Sequence, residues 1–231
     1  MAFNVATLKT RSLTALIFVV FMLGGLLWNE WSFLVLFSLV HFGCWIEFNK
    51  ILKKIYTKNY VPFLFLGLPY ITLPILMLID LRTNWSGWEL SKIGIGIALP
   101  LLIIFSIWIN DTMAYLVGSL IGKTPFSPIS PKKTWEGTIG GAILCVLIIG
   151  FGFPKFIAYF FNLHLENSCF IIAAICAIFG TIGDLLESKL KRLANIKDSG
   201  SIMPGHGGFL DRFDSLLIAT PFVWLYIKLF L

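Results

Sequence analysis

The chain has 231 residues, of which 58% are hydrophobic and only 13% charged, with a formal net charge of +6. A soluble domain carries about twice that charged fraction, so the composition excludes an ordinary water-soluble enzyme and indicates a polytopic membrane protein. Mean hydropathy is +0.87. With no soluble basic domain in the sequence, the positive charge points to lipid headgroups and nucleotide phosphates rather than to nucleic acid.

A bilayer-spanning helix needs about 20 apolar residues. Seven stretches qualify: 12–28, 31–48, 61–80, 93–121, 137–161, 168–187 and 210–231. The expected fold is therefore an all-α membrane helical bundle with about seven transmembrane helices. The fourth stretch is long enough to be tilted, kinked, partly out of the lipid or split into two short helices. The first is no cleaved signal, because Trp28-Asn29-Glu30-Trp31 offers no small-residue cleavage site.

Basic residues orient the chain. Lys9 and Arg11 precede the first stretch, and Lys50, Lys53, Lys54 and Lys58 follow the second. Lys123, Lys132 and Lys133 follow the fourth, and Lys189, Lys191, Arg192 and Lys197 follow the sixth. With seven spans all of these share one side, while the opposite side carries little more than Arg82 and Lys92. The positive-inside rule then places the N-terminus and the charged loops in the cytoplasm.

Residues 1–92 read as a three-helix transmembrane scaffold with sparse polar groups, chiefly His41, Glu47 and Asp80. His41 is expected to pack between helices, and the two carboxylates to lie near helix ends, where they can reach the interface. Cys44, Cys145, Cys169 and Cys176 lie in apolar stretches without ligand spacing and read as buried small hydrophobes. Residues 93–231 read as a catalytic region of about four helices, joined with the scaffold in one integrated membrane domain. There, polar residues cluster within or against the membrane, where each ionisable group costs roughly 2.5–3.5 kcal/mol on insertion scales.

Asn110-Asp111-Thr112 interrupts the fourth stretch, and Gly118 and Gly122 follow at a spacing that favours close helix packing. Ser130-Pro131-Lys132-Lys133-Thr134 then places two lysines and two hydroxyls directly before a helix. Lysine is a compact charge suited to phosphate, although Thr134 also reads as an N-cap. Asp184, Glu187, Ser188 and Lys191 share one helical face, and Gly183 leaves room for close approach. Pro204-Gly205-His206-Gly207-Gly208 turns the chain and can aim amides at phosphate; Asp211, Arg212 and Asp214 open the last stretch. Carboxylates on neighbouring helices suit Mg²⁺, which takes hard oxygen ligands and shares its shell with substrate phosphates.

The run Ser188-x-x-Lys191-Arg192-x-x-x-x-Lys197-Asp198-x-Gly200-x-x-x-Pro204-Gly205-His206-Gly207-Gly208-x-x-Asp211-Arg212-x-Asp214 resembles the signature of phosphatidate cytidylyltransferases, also called CDP-diglyceride synthetases. The Asn110-Asp111-Thr112 and Ser130–Gly137 blocks resemble that family's other motifs, so the likeness covers roughly residues 108–216.

The resemblance implies transfer of the cytidylyl group from CTP to phosphatidic acid, giving CDP-diacylglycerol and pyrophosphate. It also implies Mg²⁺ dependence, with a second metal or a monovalent cation left open. A homodimer, and residence in the bacterial inner membrane with a cytoplasmic-side active site, follow from it as expectations. Asp184 and Asp211 are the first expected metal ligands, with Asp214 and Glu187 as supporting or alternate ligands. Lys132, Lys133, Lys189, Lys191, Arg192 and Arg212 are expected to meet phosphates, with hydrogen bonds from Ser130, Thr134 and Ser188. His206, Gly207 and Gly208 are expected to shape the phosphate-facing loop, which Asp198 would order by pairing with a base. A CTP-dependent transferase acting on a different phosphorylated lipid would need the same motifs. An ion transporter would use intramembrane Asp and Asn differently, near mid-membrane and within repeats.

Overall fold

The computed structural model describes residues 5–87, 94–162, 165–202 and 207–231, with the side chains of 5–13, 15 and 166 excepted. His206, Pro204 and Gly205 of the motif, together with Lys92 and His164, lie outside the described residues. The helices are α1 (Val5–Leu27), α2 (Glu30–Tyr56), α3 (Val61–Leu64), α4 (Leu73–Thr83), α5 (Ile95–Ile121), α6 (Trp135–Phe161), α7 (Glu166–Leu193) and α8 (Leu210–Phe230). A π-helical turn, Leu68–Thr72, precedes α4. The long apolar fourth stretch is one helix, α5, with Pro100 inside it.

Among the described residues six helices are long and apolar enough to cross a membrane, counting Val61–Thr83 as one. In α1 the apolar part is the shorter Leu16–Leu27. The outer surfaces are apolar as well: on α6, Ile139, Ile143, Leu147 and Phe151 form an exposed stripe at one-turn spacing. In water such a stripe is an unstable surface, whereas lipid tails cover it without cost.

Two compact units partition the chain. One comprises Met1–Thr72 with Leu190–Phe213. Within it, α2 starts at a capping box in which Asn29 accepts from Ser32 N at 2.8 Å and Ser32 Oγ accepts from Asn29 N at 3.0 Å. Lys53 and Lys54 close α2, where cations complement the helix dipole. Its inner face buries Phe33, Phe37, Val40, Cys44 and Ile51. Phe213 makes edge contacts with Phe18 of α1 and Phe37 of α2. His41 does pack between helices: its Nε2 lies 3.0 Å from Thr72 Oγ1, and Trp45 Nε1 donates to both groups.

The other unit comprises Leu73–Lys189 with Asp214–Leu231. Helices α5 and α6 pack tightly there because glycine removes side chains from the seam: a Cβ on Gly137 would lie 2.8 Å from Gly118 Cα. Between them, where the lysine-rich loop was expected, β1 (Pro125–Ser127) and β2 (Ser130–Thr134) form a small antiparallel hairpin with Ser127 opposite Ser130. Glu136 ties its base by accepting from the Thr124 hydroxyl at 2.8 Å. Asp80 is buried rather than reaching an interface, and accepts from Trp224 Nε1 at 2.8 Å and from Ser86 N and Oγ, both at 3.0 Å. The four cysteines are buried, and none forms a disulfide among the described residues.

Candidate active site

In the larger unit a cavity of about 440 Å³ is lined by Asn110, Asp111 and Tyr115 of α5, by Ser130, Lys132, Lys133 and Thr134 of β2, and by Thr138, Thr181 and Asp184. The β2 strand delivers its lysines because it leads straight into α6. Thr134 is the N-cap of that helix and accepts from Gly137 N at 3.1 Å, which leaves its own O–H proton to donate. The N-cap reading of Thr134 is thus observed, and it places the hydroxyl at the cavity wall. Lys132 is exposed, and Lys133 forms an ion pair with Asp184.

Asp184 also accepts from Ser188 Oγ at 3.3 Å, one turn further along α7. Asp214, 8% exposed, accepts from Ser215 N at 2.6 Å. Its backbone carbonyl packs against Gly183, where a Cβ would collide with it. Asp184, Asp111 and Lys133 all act electrostatically on Asp214. Asn110 is buried, and its Oδ1 has no hydrogen-bond partner among the described residues. Glu187 shows no exposed surface, and Lys189 is exposed.

In the smaller unit Asp211 is the centre. Its Oδ1 pairs with Lys191 Nζ at 2.5 Å, and its Oδ2 accepts from Ser199 N, Ser199 Oγ and Gly208 N, each at 2.8 Å. Gly207 has φ +82°, a conformation that L side chains resist, so the turn into α8 requires glycine there. Gly208 is buried, whereas Arg192, Asp198 and Arg212 are exposed.

The face shared by Asp184, Glu187, Ser188 and Lys191 thus resolves into separate roles. Asp184 takes Ser188 and Lys133, Lys191 takes Asp211, and Glu187 is buried. Sequence reasoning gave little weight to Glu47, yet its buried carboxylate accepts from Ser199 Oγ at 2.7 Å, Phe209 N at 3.0 Å and Leu210 N at 2.9 Å. The available signal was a lone acid in an apolar helix, a placement that is costly without partners.

This geometry combines lysines, hydroxyls and carboxylates around one cavity, which suits binding of polyphosphate with a hard cation. The Cytidylyltransferase family model matches residues 63–230. The chain belongs to that cytidylyltransferase family. A phosphatidate cytidylyltransferase of Rickettsia bellii is 35% identical over 98% of this chain and 93% of its own length. One from Rickettsia typhi is 36% identical over 91% and 88% of the two chains, and one from Bacillus subtilis 35% identical over 80% and 65%. The family match takes in every residue assigned to the site from the signature, while Glu47 lies before it.

Proposed function

We propose that this integral membrane protein transfers the cytidylyl group of CTP to phosphatidate, giving CDP-diacylglycerol and pyrophosphate. Family membership supports this, as does the name shared by the relatives. The carrying observation is the cavity in which Lys132, Lys133, Ser130 and Thr134 face Asp111 and Asp184.

In the reaction an oxygen of the lipid phosphate attacks the α-phosphorus of CTP, and the bond from that phosphorus to the bridging oxygen breaks as pyrophosphate leaves. Both reactants are polyanions, so the chemistry is dominated by positioning and charge neutralisation. A phosphomonoester is already nucleophilic near neutral pH, so no residue need act as general base. Lys132 and Lys133 bind phosphate oxygens, and Ser130 and Thr134 donate hydrogen bonds to them. Entry of CTP competes with Asp184 for Lys133, which frees carboxylate oxygens as the phosphates arrive.

Mg²⁺ fits this donor set. It uses one or two carboxylates plus waters and phosphates rather than an all-protein cage. Among the described residues no three His, Cys, Asp or Glu side chains form such a cage. Asp184, Asp214 and Asp111 are nonetheless hard donors that interact electrostatically, and Asn110 Oδ1 is a buried oxygen unsatisfied among the described residues. Asp184 and Asp214 would hold the cation in this unit, with Glu187 in support; within the smaller unit Asp211 is the proposed ligand. When bound, the cation would neutralise charge on the transferring group. Lys191, Arg192, Lys189 and Arg212 serve phosphate at the cytoplasmic face of a seven-span, dimeric enzyme of the bacterial inner membrane. Residues 93–231 carry the chemistry on the scaffold of 1–92.

The test is CTP turnover by purified protein in detergent with phosphatidate and Mg²⁺, following pyrophosphate and CDP-lipid together. Equal formation of both products is expected. CTP binding without either product would move the reading to another phosphorylated lipid.

A further inference from the structure

Glu47 stands outside the span that the family model matches, more than 150 positions before its partners in the loop. Glu47 is only 5% exposed. A buried carboxylate is tolerated only where hydrogen bonds replace its lost water. Three donors do so here, and two of them are the amides of Phe209 and Leu210 at the start of α8. These belong to the helix-end N–H groups that lack intrahelical acceptors. Glu47 thus caps α8 from a different helix.

The third donor links it to Asp211. Ser199 Oγ lies 2.7 Å from Glu47 Oε2 and 2.8 Å from Asp211 Oδ2, so its single proton is shared between the two carboxylates and links them. Ser199 itself is buried. The glycines on either side of Glu47 complete the arrangement: a Cβ on Gly200 or on Gly208 would strike its carboxylate. Two glycines of the signature are therefore explained by a residue that the signature does not contain.

We propose that Glu47 is a positioning residue for the transfer reaction, holding the Asp211 carboxylate in place through Ser199 and through the first amides of α8. The consequence for catalysis rests on the function proposed above; the consequence for the loop does not.

The experiment pairs amide hydrogen exchange of residues 207–213 with kinetics, for wild type, Glu47→Gln, Ser199→Ala and the double variant, in detergent. Glu47→Gln keeps the shape but turns one acceptor oxygen into a donor amide. Faster exchange in 207–213 is expected at an unchanged thermal midpoint. The turnover number should fall about 10- to 100-fold, as for a lost hydrogen bond to a charged group, with the CTP KM held within about threefold. The double variant should be no worse than the worse single, because both act through one linkage. Unchanged exchange, turnover within about twofold of wild type, or losses that multiply in the double variant would each overturn the proposal. Should Glu47→Gln fail to fold, Ser199→Ala carries both readouts by itself. If wild type turns over no phosphatidate, the functional reading falls, and the exchange data alone decide whether Glu47 holds the loop.

Discussion

Lys133 of β2 and Asp184 of α7, 51 residues apart in sequence, form an ion pair at the wall of the cavity. Both side chains remain more than a quarter exposed. The pair is open to exchange for ligand phosphate on one side and cation on the other. A fully buried pair would resist such exchange, because separating it would strand two charges away from water.

Asp184→Asn removes the charge of that carboxylate and keeps its shape. Turnover should fall by at least about 100-fold, the scale of losing one preorganised electrostatic group. Helical content and thermal midpoint should stay near wild type. Product formation from CTP, measured beside circular dichroism, checks this, and near-normal activity would remove Asp184 from the site.

Chelation should abolish turnover, and added Mg²⁺ should restore it. CTP consumption before and after EDTA, then with the cation returned, reads this directly. Activity that persists in EDTA would mean that Lys132 and Lys133 neutralise the phosphates without a metal.

Gly183→Ala places a methyl group against the carbonyl of Asp214. The backbone must shift, at a cost of about 1–3 kcal/mol as for other overpacked positions. Thermal unfolding in detergent should show the loss. Activity should fall further than stability accounts for, because Asp214 is displaced.

Trp224→Phe leaves one of Asp80's hydrogen bonds unmade while preserving most of the apolar contact. Stability should drop by about 1–3 kcal/mol, the range for leaving a buried acceptor short of a partner. Turnover of the folded fraction should be unchanged, as this cluster is not part of the cavity lining. Denaturation midpoints and specific activity measured on one preparation separate the two effects.

Hydropathy alone placed most of the long helices, because burial of apolar surface in lipid depends on local composition over about 20 residues. It read 61–80 as unbroken, however, and counted seven spans where six helices qualify among the described residues. The expected stretch 210–231 and the observed α8 at Leu210–Phe230 differ at one end by a single residue. The β1–β2 hairpin was less legible. Ser130-Pro131-Lys132-Lys133-Thr134 has no apolar alternation, and its strand pairing depends on a partner segment just upstream.

Composition, the positions of most long helices and the spaced polar blocks were thus legible in the sequence, together with the family they belong to. Those properties arise from each segment's own preference for lipid or water. Partner choice was not. That Lys133 meets Asp184, that Lys191 meets Asp211, and that Glu47 receives Ser199 and the first amides of α8 depend on which elements pack together. A buried charge is held by whatever donor lies within about 3 Å, and only the tertiary structure brings residues distant in sequence to that range.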